Sequence, residues 1–196
     1  MSETRDQPEA SATMIPIKPA LLLFLLAVSA ALFSIGLSAD EKDPYKHFFN
    51  DTFGDFQEEL TTARSEGKKA IMIFFEMDEC PFCHRMKQNV LNQAEVQTFF
   101  REHFKQFAVD IEGDVEIQDF AGKPTTQKEW AFAVHRVRAT PVIAFFDLDG
   151  NKIMTYTGAA KDSAEFMLMG RFIAEGHYKQ TDFIRFKREQ RSKPAA

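Results

Sequence analysis

The chain has 196 residues, 44% of them hydrophobic and 27% charged, with a formal net charge of −5. That length suits one domain with a proper core and is short for two, and the acidic balance leaves no basic footprint for nucleic acid. Its 21 Phe against 3 Tyr and 1 Trp predict a Phe-filled core, and 2 Cys are too few to staple a domain.

Residues 1–19 read as a short cytoplasmic n-region in which Arg5 and Lys18 face Glu3, Asp6 and Glu9, so charge bias orients it only weakly. Residues 20–39 are uncharged and mostly apolar, and Asp40-Glu41 follow at once. A signal-peptide core usually runs about 7–15 residues and a membrane span needs about 20. Leu37-Ser38-Ala39 offers a cleavage site before Asp40, whereas the length suits an uncleaved anchor in the inner membrane. Signal peptide and signal anchor both stay open. Either one carries the cysteines out of the cytoplasm into an oxidising compartment.

Residues 40–47, with Asp43-Pro44, read as a linker. Phe49, Phe53, Phe56, Leu60 and Ala63 then recur at helical spacing, with Asp51 or Thr52 near the start and Gly67 after the end. Ala70 to Phe75 is a short apolar run that predicts a central strand through Glu76. The segment from Arg85 to Leu91 contains no helix breaker, and Asn92 with Glu95 predicts a fresh cap before an apolar face of Val96, Phe99, Phe100 and Phe104. Gln106 to Ile111 predicts a second strand, and Glu112 to Pro124 an irregular excursion with a short strand at Val115 to Ile117. Thr126 with Glu129 forms a capping box for a helix through Trp130 to about His135. Val142 to Phe146, the Asp149-Gly150 turn and Lys152 to Tyr156 predict a hairpin. Asp162 with Glu165 caps a last helix buried through Phe166, Met169 and Ile173 and ended by Gly176. Thr181 to Ala196 is basic and reads as a short helix (Phe183, Ile184, Phe186) that frays. The predicted order, α, β, α, β, α, β-hairpin, α, implies a mixed sheet covered by helices.

The two cysteines stand together, Cys80-Pro81-Phe82-Cys83-His84, between the apolar strand and the next helix. Unpaired N–H groups at a helix N-terminus stabilise a thiolate, which lowers the pKa of the first cysteine. A second thiol one turn on can resolve a mixed disulfide, and proline is well tolerated at a helix start. Redox catalysis is therefore the leading reading, with no cofactor beyond the Cys80–Cys83 couple and no metal. Three rivals stand beside it. The letters C-x-x-C-H also spell a c-type haem attachment site, although a buried strand before the motif and a non-helical pattern argue against it. Copper handling draws on thiolates with Met72, Met77 and Met86 nearby, although Met72 and Met86 read more simply as core. The last is an inert structural disulfide. His84 reads as an exposed helix residue or as a cation that stabilises the nearby thiolate and raises the redox potential, and His47, His103, His135 and His177 share no ligand spacing.

This order, with the dithiol after the first central strand and Thr140-Pro141 before the hairpin, resembles the thioredoxin fold over residues 48–178, leaving 179–196 as a basic tail. Cys80 to Met86 is similar to the C-x-x-C-H-K/R-apolar run of DsbC-like proteins and to the C-P-Y-C run of SoxW-type thioredoxins. Val137 to Pro141 followed by Phe145 to Gly150 resembles the same group and the C-terminal domain of DsbD. The resemblance implies that Cys80 attacks, Cys83 resolves, and Pro81, Phe82, Thr140 and a cis Pro141 orient the substrate. It also implies a periplasmic thiol–disulfide oxidoreductase that reduces exported client proteins and takes electrons from a membrane donor of the DsbD type. A disulfide oxidase or isomerase is the alternative. One position departs from the family: thioredoxin keeps a buried acid six residues before its first cysteine, where this chain has Phe74. Glu76, four before Cys80, is the substitute candidate for proton acceptor.

Overall fold

The structure, a computed structural model, describes residues 43–192; the apolar segment 20–39 and residues 193–196 lie outside the described residues. No helix among the described residues is long and apolar enough to cross a membrane. Strand β1 (Ala70–Glu76) is buried at every position. A strand covered on both faces reads as an unbroken apolar run, because neither side meets water. It pairs in parallel with β2 (Phe104–Asp110) and antiparallel with β5 (Val142–Phe146). β6 (Lys152–Thr157) pairs antiparallel with β5 and completes a mixed sheet in the order β2-β1-β5-β6.

Alternation along β1 divides the core in two. Met72 and Phe74 point to one face, with Cys80, Cys83 and Met86. Ile71, Ile73 and Phe75 point to the other, with Phe56, Leu60 and Trp130. The first face is covered by α3 (Pro81–Met86) and its π-helical continuation Lys87–Leu91, by α4 (Ala94–His103), and by α6 (Ser163–Ala174). Gly170 lets α6 come close to α4, since a Cβ there would stand 2.7 Å from the Phe99 ring. Phe100 and Phe166 stack between the two helices with centroids 4.3 Å apart. The second face is covered by α2 (Phe56–Ser65) and by the one-turn α5 (Gln127–Glu129), which runs on as a π turn through Trp130–Val134. Phe56 stacks on Trp130 at 4.8 Å. Burying a Phe side chain is worth roughly 1.5–3 kcal/mol, so the predicted Phe-rich core supplies most of the drive to fold.

Several boundaries differ from the sequence reading. Asp43 and Pro44 open a one-turn helix, α1 (Pro44–His47), where a linker was predicted. α2 starts at Phe56 under an Asp55 cap, so Phe53 lies before the helix and is fully exposed. The cap predicted at Asn92 is not formed. The Asn92 amide instead donates to the Gln88 carbonyl inside the π turn, and α4 starts after Gln93. Phe104 belongs to β2, not to the helix. The excursion carries a small hairpin of β3 (Glu116–Gln118) and β4 (Pro124–Thr126); the second strand was missed because it begins at a proline. The Thr126 cap forms as predicted, its Oγ1 accepting from the Glu129 N–H. The described part of the basic tail carries a ten-residue helix, α7 (Phe183–Ser192), longer than the short one expected, with Phe183 and Phe186 buried against the first face; the expected fraying end, 193–196, lies outside the described residues.

His135 closes the second face, its ring between Phe75, Trp130 and Phe146 with centroids 4.7–5.6 Å away. Burial, aided by the nearby Lys152 charge, pushes its imidazole from 6.5 down to about 4. The unfolded chain therefore binds a proton that the folded protein refuses between pH 6.5 and 4, and stability falls as pH drops through that window. His135→Phe preserves the ring packing and removes this effect. The wild-type Tm is expected to fall more steeply than the variant's between pH 6.5 and 4, and parallel curves would contradict the assignment.

Candidate active site

Cys80 is the N-cap of α3 and Pro81 its first residue. A proline there loses no hydrogen bond, because the first N–H groups of a helix have no partner. Cys80 and Cys83 form a disulfide, Sγ to Sγ 2.13 Å, and the Cys83 N–H donates to Cys80 Sγ at 3.1 Å. In the reduced form the same N–H and the helix dipole favour a Cys80 thiolate. Both cysteines are buried in the disulfide form, Cys80 1% and Cys83 0% exposed. Phe82 stands out beside them at 58% exposure, with the Arg85 guanidinium 5.5 Å from its ring centre. His84 lies on the outer helix face and hydrogen-bonds through Nε2 to the Asp78 carbonyl. Met86 is core, as predicted, and its sulfur accepts from the Ala160 N–H.

Thr140 and Pro141 come to this end of the sheet by register. Phe75 pairs with Val142, so Pro141, the residue before β5, lies beside the end of β1 that leads into the dithiol. The Thr140–Pro141 bond is cis, as the resemblance implies for that position, and the Pro141 carbonyl accepts from the Gly158 N–H at 2.8 Å. Arg136, with φ 57, takes the left-handed conformation that ends the π turn and sends Val137 into the core. The Thr140 hydroxyl oxygen is buried and has no hydrogen-bond partner among the described residues.

Glu76 is buried, not solvated. By strand alternation it lies on the same face as Phe74, the face that carries the dithiol helix. Its carboxylate is ion-paired with the Lys87 ammonium, both side chains 11% exposed, and it accepts a hydrogen bond from the Tyr45 hydroxyl at 3.2 Å. Lys87 sits one turn beyond Cys83, its N–H donating to the Cys83 carbonyl, and its ammonium lies over the Tyr45 ring at 4.4 Å. Burial alone would lower the Lys87 pKa, but its hydrogen bonds to Glu76 and Tyr45 outweigh that and hold it above the usual lysine value. Burial pushes the Tyr45 phenol up as well. Sequence reasoning missed both Tyr45 and Lys87. The four-residue step from Cys83 to Lys87 was a usable signal for the second; nothing local announced the first.

Among the described residues no group of three or more His, Cys, Asp or Glu side chains could hold a metal ion. A dithiol at a helix N-cap, fed by a central strand and flanked by a cis proline, is the site of the thioredoxin class. The chain belongs to the thioredoxin-like domain family, whose model matches residues 56–173. Among solved structures it is similar to a thioredoxin-fold protein from Helicobacter pylori, at 24% identity over 64% of this chain and 82% of that one, TM-score 0.52. It is similar also to a DsbH oxidoreductase, at 18% identity over 74% of this chain and 98% of that one, TM-score 0.52. These likenesses speak to the fold. No curated protein matches the chain in sequence.

Removing one partner of a buried ion pair leaves an uncompensated charge, at about 3–5 kcal/mol. Lys87→Met is therefore expected to lower the unfolding free energy by about 3 kcal/mol in urea titration, and Lys87→Met with Glu76→Gln to recover much of the loss. A loss under about 0.5 kcal/mol for the single change would show that the pair is solvated.

Proposed function

We propose that the protein is an exported thiol–disulfide oxidoreductase that reduces disulfides of client proteins in the periplasm. The observation that carries this reading is the Cys83 N–H aimed at Cys80 Sγ at the N-cap of α3, with cis Pro141 held at the neighbouring strand end. In the cycle the Cys80 thiolate attacks a client disulfide, forming a Cys80–client bond and releasing the other client sulfur as a thiolate. Cys83 then gives up its proton and attacks Cys80 Sγ. The Cys80–Cys83 bond forms, the second client thiolate leaves, and two electrons have passed from enzyme to client. Glu76, on the dithiol face of the sheet, is assigned as acceptor of the Cys83 proton, with Lys87 and Tyr45 holding its carboxylate. Pro81, Phe82, Thr140 and Pro141 receive the client. A membrane dithiol donor of the DsbD type returns the enzyme to its reduced form. Residues 20–39 deliver the domain to this compartment, as a cleaved signal or as an anchor.

The reading is tested with the two cysteine variants and insulin as a surrogate client. Cys80→Ser is expected to abolish disulfide reduction. Cys83→Ser is expected to accumulate a mixed disulfide that reducing agent dissolves on a gel. Reduction that survives Cys80→Ser would overturn the assignment.

A further inference from the structure

The two edges of the sheet are treated differently. The outer edge of β2 is closed by its own chain: the Asn50 N–H donates to the Gln106 carbonyl at 2.7 Å, the Gln106 N–H to Asn50 Oδ1 at 2.8 Å, and the Asp110 N–H to Gln127 Oε1 at 2.8 Å. The edge of β6 has no such cover among the described residues. Gly158 bonds to Pro141, and an antiparallel ladder alternates every residue. Tyr156 and Met154 thus turn their N–H and C=O toward β5, and Thr155 and Thr157 turn theirs outward. Unpaired edges invite another strand, and proteins usually block them with a charge, a proline or a cover.

Beside this edge runs a groove of about 760 Å³ between β6 and α7. Tyr156 and Phe183 meet in its floor, rings edge to face at 6.1 Å. Its outer wall is one stripe of α7, Ile184, Arg188 and Arg191, spaced so that all three share a face. Ile184 is 71% exposed. Lys187 is already engaged by Glu165, whereas Arg188 and Arg191 have no carboxylate partner among the described residues. Asp182, the one acid among the described lining residues, caps α7 by accepting from the Arg185 N–H. Among the described residues the wall therefore presents two guanidinium groups without a carboxylate partner, beside an apolar floor and a row of backbone donors and acceptors that no described strand uses.

We propose that this groove docks an extended acidic segment of a protein partner, which adds as a strand to β6. Its backbone pairs with Thr155 and Thr157, its apolar side chains lie against Tyr156 and Ile184, and its carboxylates reach Arg188 and Arg191. A membrane surface fits less well, because Phe183 and Phe186 are spent on the core and Ile184 alone remains outward, where an interfacial helix shows a broad apolar face. The site is separate from the dithiol chemistry and does not depend on it.

The test uses the full chain in neutral detergent and a fluorescent, cysteine-free decapeptide alternating Val and Glu, read by anisotropy. Binding is expected to weaken at least tenfold when Glu is replaced by Lys in the peptide. A similar loss is expected when alternate peptide amides are N-methylated, and when the protein carries Arg188→Glu with Arg191→Glu; an unchanged Tm confirms that this variant is folded. Failure of the Val–Glu peptide to bind, or binding indifferent to the charge reversal, would overturn the proposal. Binding that N-methylation leaves intact would refute strand addition. Charge-reversal-sensitive binding to phosphatidylglycerol vesicles without peptide binding would assign the face to lipid instead. Insulin reduction by the same variant stays at the wild-type rate, which separates this site from the redox reading.

Discussion

The register of β1 against β5 is the constraint on which the site depends. Phe75 opposite Val142 brings two segments more than sixty residues apart to one sheet end, the dithiol loop from β1 and the Thr140–Pro141 turn into β5. A slip of one residue would turn every β1 side chain to the opposite face and carry Phe74 out of the cluster that packs on Cys80 and Cys83. Burial on both faces of β1 is what fixes the register, and the Phe-rich layers on either side supply that burial.

Within that frame the chain departs from the thioredoxin pattern at one strand position. Phe74 occupies the strand position where thioredoxin places its buried acid, and Glu76 stands one pleat nearer the strand end, on the same face. A buried carboxylate is costly unless it is paired and hydrogen-bonded. Here Lys87 from the dithiol helix and Tyr45 from α1 meet that need together. The same contacts tie α1, the first described element of the chain, to the turn that follows Cys83.

Most of the fold was legible in the sequence because its signals are strong and local. The unbroken run Ala70 to Phe75, the Thr126 and Asp162 caps, and the Asp149-Gly150 turn each state one element. The failures share a cause in tertiary context. Asn92 has the letters of a cap, but the π turn before it draws its amide inward. Phe53 keeps helical spacing with Phe56, yet Asp55 starts the helix and leaves Phe53 outside. The tail was read as a short helix that frays; Phe183 and Phe186, at i and i+3, anchor a helix that runs through Ser192, the last described residue. In the site, the Cys80–Cys83 pair was legible from its spacing, whereas Pro141 came only from the resemblance to the thioredoxin fold. The Tyr45–Glu76–Lys87 network was not legible, because it joins three elements that have no common period.

The most direct test of the central claim, that Cys80 and Cys83 form a catalytic reducing couple, is their reduction potential, measured by equilibration with dithiothreitol or glutathione. A value near the thioredoxin end, about −270 mV, is expected. About 30 mV corresponds to a tenfold change in the exchange equilibrium. A value near −120 mV would make the protein an oxidant and reverse the proposed direction, and one below about −300 mV, typical of structural disulfides, would contradict a catalytic couple altogether.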